Sequence, residues 1–177
     1  MNNNDTIFAL SSGHGKSGVA VIRISGDTLQ VFAQKIIGHI PTPRHAYFTN
    51  MRDNDGEIID QCVVIYFAAP HSFTGTDIIE IHSHGAPAVI NKIFEFLREH
   101  NMRIATPGEF SRRAFFNNKM DLADVDGLAA LLDAETDKQR VAALKSMMGG
   151  DSEIYTDWRN QMLEISAPRN ASTRCCT

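Results

Sequence analysis

The chain is poor in several things that would have narrowed its class at once. It has 177 residues with one tryptophan and three cysteines. The cysteines are Cys62, Cys175 and Cys176, an odd number with no metal-ligand spacing, so neither a disulfide scaffold nor a zinc module is encoded. Cys62 lies in an apolar run and is expected to be a reduced core thiol. No apolar run approaches the roughly 20 residues of a membrane helix; the longest, Cys62 to Pro70, is a strand's length. The start, Met1-Asn-Asn-Asn-Asp5, lacks a basic segment followed by an apolar one, which predicts no signal peptide and a cytoplasmic protein with no membrane partner. Basic residues are not in excess: 17 Lys and Arg against 21 Asp and Glu give a net charge of −4, which argues against a domain built to coat nucleic acid.

What is present reads as α+β. Strands are predicted at Thr6–Leu10, Val19–Ile24, Arg44–Met51, Glu57–Phe67, Asp77–His82 and Met102–Ala105, from β-branched and aromatic runs bounded by turn residues. Asp53-Asn-Asp-Gly56 marks a hairpin between the third and fourth. Asp27 is expected to cap a helix over Thr28–Ile37 that Gly38 ends. Pro87–His100 places Val89, Ile93, Phe96 and Leu97 on one helical face. After Pro107 the pattern turns helical, at 108–116, 121–134 and 137–148. Gly149-Gly150 is expected to break the chain before a fourth helix from Asp151. The last ten residues, 168–177, lose periodicity and are expected to be a disordered tail.

Charge is segregated. Residues 92–119 carry six bases (Lys92, Arg98, Arg103, Arg112, Arg113, Lys119) against three acids, and 121–137 carry six acids and no base. Either this is a solvated helix face matched to its dipole, or the bases line a basic pocket mouth ending at Lys119.

Several motifs fail on context. Gly15-Lys16-Ser17 resembles the end of a phosphate-binding loop, but Leu10 stands where that motif needs glycine, and a strand follows rather than a helix. Asn118-Lys119-Met120-Asp121 fits a guanine-recognition pattern that means nothing without such a loop. His82 and His84 share a strand face, with Glu80 beside them, yet no further ligand has an obvious place. There is no G-x-S-x-G elbow. No catalytic residue and no metal ligand is assigned.

Three stretches resist an ordinary reading: Gly18-Val-Ala-Val-Ile-Arg23-Ile-Ser-Gly26, Ser72-Phe-Thr-Gly-Thr-Asp-Ile-Ile-Glu80-Ile-His-Ser-His-Gly85 and Pro107-Gly-Glu-Phe-Ser-Arg-Arg-Ala-Phe-Phe-Asn-Asn-Lys119-Met-Asp-Leu122. Arg23 is flanked by Ile22 and Ile24, and Glu80 by Ile79 and Ile81. Charges in such positions are rarely buried unpaired. They pair with each other, lie on a solvent face, or serve a ligand.

In order and spacing these stretches, with Asp5-Thr-Ile7, resemble the N-terminal domain of the tRNA-modification GTPases of the MnmE/TrmE type, from about Asn4 to Ala167. The resemblance implies a folate-binding domain over 1–118, similar in fold to the folate-binding module of aminomethyltransferases. It further implies the start of a helical domain over 119–167. It implies 5-formyltetrahydrofolate, or a related formyl-tetrahydrofolate, held by Arg23, Glu80 and Lys119. Glu80 suits the adjacent N–H donors of the pterin edge; Arg23 or Lys119 suits the glutamate tail's carboxylates. Also implied are a homodimer formed through this domain, a flavoprotein partner of the MnmG type, and tRNA engaged through the full complex in aminomethyl-type modification of the wobble uridine. GTP, Mg and K belong to a G domain beyond this sequence, so this chain is not expected to hydrolyse GTP. Departures from the family's pattern stand at His71, Thr76 and Ala86. Two other readings compete: a dimerisation module that binds no folate, and a free-standing tetrahydrofolate-dependent one-carbon transferase.

Overall fold

The computed structural model describes residues 5–13 and 15–166; the expected tail at 168–177, with Cys175 and Cys176, lies outside them. Two compact units divide between Met120 and Asp121.

The first unit is a mixed six-stranded sheet with helices. In chain order it runs β1 (Ile7–Leu10), β2 (Ser17–Gly26), α1 (Gln30–Ile37), β3 (Ala46–Arg52), β4 (Ile58–Phe67), β5 (Asp77–Gly85), α2 (Pro87–Glu99), β6 (Arg103–Ile104) and α3 (Glu109–Phe116). The strand order is β3-β4-β5-β2-β1-β6, antiparallel except for the parallel β1–β6 pair. The α+β expectation holds, and β2 and β5 lie at the centre.

Period-2 alternation gives the sheet its two faces. Phe8, Ile22, Ile24, Ile79, Ile81, Val64 and Tyr66 point to one side and are buried. There they meet Leu29, Ala33 and Ile36 of the α1 segment and Ile93, Phe96 and Leu97 of α2. Each buried aliphatic side chain of this kind contributes about 1.5–3 kcal/mol. Cys62 belongs to this core at 2% exposure. Burial, first, and the nearby Asp60 carboxylate push its thiol up to about 11.

One local expectation in this unit is corrected. Asp27 does not cap α1. The Leu29 N–H instead donates to Asp77 Oδ2 (3.0 Å), and Asp77 Oδ1 accepts from the Ala69 N–H (2.9 Å), so the cap comes from the first residue of β5. Gly38 does end α1, at φ 94°. In the hairpin, Asp53 Oδ1 accepts from the N–H groups of Asp55 (3.1 Å) and Glu57 (2.9 Å), the local bond that suits Asp to turns.

The second unit contains α4 (Leu122–Leu132), α5 (Asp137–Lys145) and α6 (Asp151–Ser166). Asp121 and Asp124 form a reciprocal cap on α4, and Thr136 and Gln139 form one on α5. Gly149-Gly150 does not break the chain: a π-helical turn, Ser146–Gly150, carries the backbone into α6. Gly127 of α4 allows close approach here, since a Cβ on it would sit 2.7 Å from the Met147 nitrogen.

Candidate functional site

The face of the sheet opposite the core carries the site. The β2–β5 register sets Arg23 directly across from Glu80. Alternation turns both away from the buried isoleucines that flank them. The Arg23 Nε and Nη2 groups both donate to Glu80 Oε1, at 2.9 and 2.7 Å. Both side chains are half-buried, at 29% and 16% exposure, so the pair is partly screened rather than fully desolvated. Glu80 Oε2 accepts no hydrogen bond among the described residues; the His82 Nε2 stands 3.5 Å from it. Two residues further, His84 Nδ1 meets Asp60 Oδ1 (2.8 Å) and the His84 N–H donates to Asp60 Oδ2 (2.7 Å).

The loop before β5 brings the remaining candidate in. The Arg23 guanidinium lies over the Phe73 ring, 5.4 Å from its centroid, a cation–π contact. Thr74 and Thr76 form a hydroxyl cluster with Ser25 of β2 (2.8 and 2.9 Å). Ser72 Oγ accepts from the Gly75 N–H (3.0 Å) and donates to the Thr76 carbonyl. Past the end of α3, Asn117 Nδ2 donates to the Thr74 carbonyl (2.6 Å). Gly75 has φ 80°, and a Cβ there would lie 3.2 Å from Lys119 Cγ. Lys119 is exposed, and among the described residues its amine makes no hydrogen bond or ion pair. One loop, 72–76, therefore touches both ends of the candidate set: Arg23 through Phe73, and Lys119 through Gly75. Of the readings open for Arg23 and Glu80, mutual pairing is the observed one.

The basic pocket mouth is not formed. Lys92 pairs with Asp53 (3.3 Å), and Arg103, Arg112 and Arg113 converge on Glu109. Glu109, 3% exposed, accepts from both terminal nitrogens of Arg103 (2.9 and 2.5 Å) and from the Thr106 N–H (2.8 Å). Asp5 completes the lattice, holding Arg103 (2.6 Å) and Arg113 (2.7 Å). The Arg103 guanidinium, against burial and with help from Thr106, pulls the Glu109 carboxyl down to about 2. Asp5, Glu109, Arg112 and Arg113 belong to two of the quoted motifs, yet with Arg103 they tie β6 and α3 to the segment leading into β1 rather than face a ligand.

Sequence reasoning missed Phe73, Asn117 and His82 as site neighbours. All three lie inside the quoted stretches, and His82 reads there as a metal ligand or an ordinary hydrogen-bonding histidine. Among the described residues no group of three or more His, Cys, Asp or Glu could hold a metal ion, and no helix is long and apolar enough to cross a membrane.

Residues 6–119 match the family model described as the GTP-binding protein TrmE N-terminus. The chain is 49% identical over 164 residues to the tRNA modification GTPase MnmE of Brucella anthropi, covering 92% of this chain and 37% of that one. It is 47% identical over 165 residues to the protein of that name from Brucella canis (93% and 37%) and 44% identical over 164 residues to that of Roseobacter denitrificans (92% and 38%). The chain thus spans a little over a third of the length of these curated relatives.

Proposed function

This chain belongs to the family of the GTP-binding protein TrmE N-terminus, and from that premise we propose that it binds a formyl-tetrahydrofolate, with Arg23, Glu80 and Lys119 as the binding residues. The observation that carries the reading is the half-satisfied carboxylate. Glu80 is fixed by Arg23 at Oε1 and keeps Oε2 unbonded on the open face of the sheet. A carboxylate so oriented suits the adjacent N–H donors of a pterin edge. Arg23, committed to Glu80 through two nitrogens, acts as the orienting base. That leaves Lys119, whose amine has no partner among the described residues, as the base suited to the ligand's tail carboxylates. The ligand would bring a one-carbon unit at the formyl level.

The wider role follows from the same membership. The chain pairs with a second copy through this unit. It serves, with a flavoprotein of the MnmG type, in modifying the wobble uridine of tRNA within a protein whose G domain holds GTP, Mg and K.

Titration calorimetry with 5-formyltetrahydrofolate tests the ligand. Binding is expected for the chain as it stands. For Glu80→Ala it is expected to vanish with an unchanged circular dichroism spectrum. Wild-type affinity in that variant refutes the assignment. One observation favours a second reading, dimerisation without folate: Arg23 and Glu80 neutralise each other and need no ligand to justify their burial. No heat on titration, combined with a dimer by light scattering, would select it.

A further inference from the structure

The residue beside Glu80 that no part of this reading uses is His82. It follows Glu80 by two positions on β5, so the two side chains share the open face. Its cross-strand neighbours are Val21 of β2 and Val63 of β4, neither of which offers a side-chain acceptor. The His82 Nε2 is shut off from solvent and has no hydrogen-bond partner among the described residues. The polar atom it faces is Glu80 Oε2, at 3.5 Å, the oxygen that Arg23 leaves alone.

We propose that His82 is a positioning residue for Glu80: its Nε2–H donates to Glu80 Oε2 and, opposite Arg23 on Oε1, fixes the plane in which the carboxylate meets a ligand. This rests on the folate reading for the ligand's identity, but not for the contact itself. The tautomer follows from the geometry. A lone pair on Nε2 would face a carboxylate lone pair across 3.5 Å, whereas a proton there gives a buried donor its acceptor, and an unmet buried donor is costly. A shift of a few tenths of an ångström brings the two into hydrogen-bond range. Held from both sides, Glu80 presents its remaining lone pairs in one orientation, so a ligand bearing two parallel donors meets a preformed acceptor.

Two measurements on the full chain test it. Nitrogen-15 NMR of the histidine rings reads the contact without ligand. A protected His82 Nε2–H signal is expected in the native chain and its loss in Glu80→Leu; an unprotected signal in the native chain overturns the proposal. Calorimetry with 5-formyltetrahydrofolate reads the consequence. His82→Leu is expected to weaken binding roughly tenfold. His82→Gln, whose amide nitrogen reaches the same place, is expected to restore it to within about threefold, both with unchanged melting temperature. Equal affinity in His82→Leu and native protein overturns the positioning role. If the native chain itself takes up no folate, the ligand reading fails while the NMR result still decides for or against His82.

Discussion

Replacing Glu109 with glutamine probes the charge lattice that fixes β6 and α3 to β1. The substitution keeps shape and removes charge. The Glu109 carboxylate is 3% exposed and serves two nitrogens of Arg103, with the Thr106 N–H and hydroxyl on Oε2. A glutamine keeps one acceptor and turns an NH₂ group toward guanidinium donors. Breaking a buried pair costs about 3–5 kcal/mol. Because Arg103 is 42% exposed and keeps Asp5, the low end applies. The pKa gives an independent figure: a fall from 4.5 to about 2 corresponds to ~3 kcal/mol. The sign is fixed by the direction. A carboxyl whose pKa is lowered on folding contributes in full above 4.5, and the contribution drains away as pH falls toward 2. Urea unfolding followed by far-UV circular dichroism is the suitable assay, because the single tryptophan, Trp158, lies in the second unit and reports on α6. The expected loss at neutral pH is ~3 kcal/mol, equivalent to a fall in melting temperature on the order of 10 °C. The gap between variant and native protein should narrow steadily below pH 4.5. A loss under about 0.5 kcal/mol, the range of an ordinary surface substitution, would refute the reasoning. So would a gap that stays constant down to pH 2.5.

Three further outcomes follow from the geometry. Cys62, buried and with its thiol raised to about 11, should resist alkylation by iodoacetamide at pH 8 in the folded chain and react on unfolding in urea; fast labelling at Cys62 in the native chain, read by peptide mass spectrometry so that Cys175 and Cys176 are counted apart, would contradict its core placement. Gly75→Ala places a Cβ 3.0 Å from Asn117 Cβ at φ 80°, and is expected to cost about 1–2 kcal/mol by thermal melting. It should also weaken folate binding by disturbing Lys119, and unchanged affinity would separate loop 72–76 from the site. Asp77→Ala removes the acceptor for the Leu29 and Ala69 N–H groups. It should lower stability by about 1–2 kcal/mol, whereas Asp27→Ala should leave the unfolding midpoint where it is.

The parts of the fold that were legible in the sequence are those decided within a few residues of themselves. β-branched and aromatic runs placed the six strands, Gly38 ended α1, and Asp53-Asn-Asp-Gly56 made its turn, because strand composition and turn chemistry are local. The Gly149-Gly150 break failed locally, on a π-helical turn; the α1 cap involves a partner distant in the chain. The α1 cap is Asp77, 48 positions beyond Leu29, so a rule that looks for a capping side chain beside the helix selected Asp27 instead. For the basic run from Lys92 to Lys119 the pocket was one of two readings left open, and part of what decides it lies outside the run: Asp53 for Lys92, and Asp5, 98 positions away, for Arg103, beside Glu109 within it. The site divides along the same line. That Arg23 and Glu80 are odd residues for their strands was readable from the isoleucines on either side. That they oppose each other depends on β2–β5 pairing across 57 residues. The same register suits the residues proposed to bind the ligand. A charge on the open face of a central strand is held by backbone ladders on both sides, so its side chain starts from a rigid base. Loop 72–76, pinned to Ser25 and Asn117, extends that rigidity to Gly75, against which Lys119 packs. Rigid placement of a carboxylate lowers the ordering cost that a flexible ligand would otherwise impose on the protein.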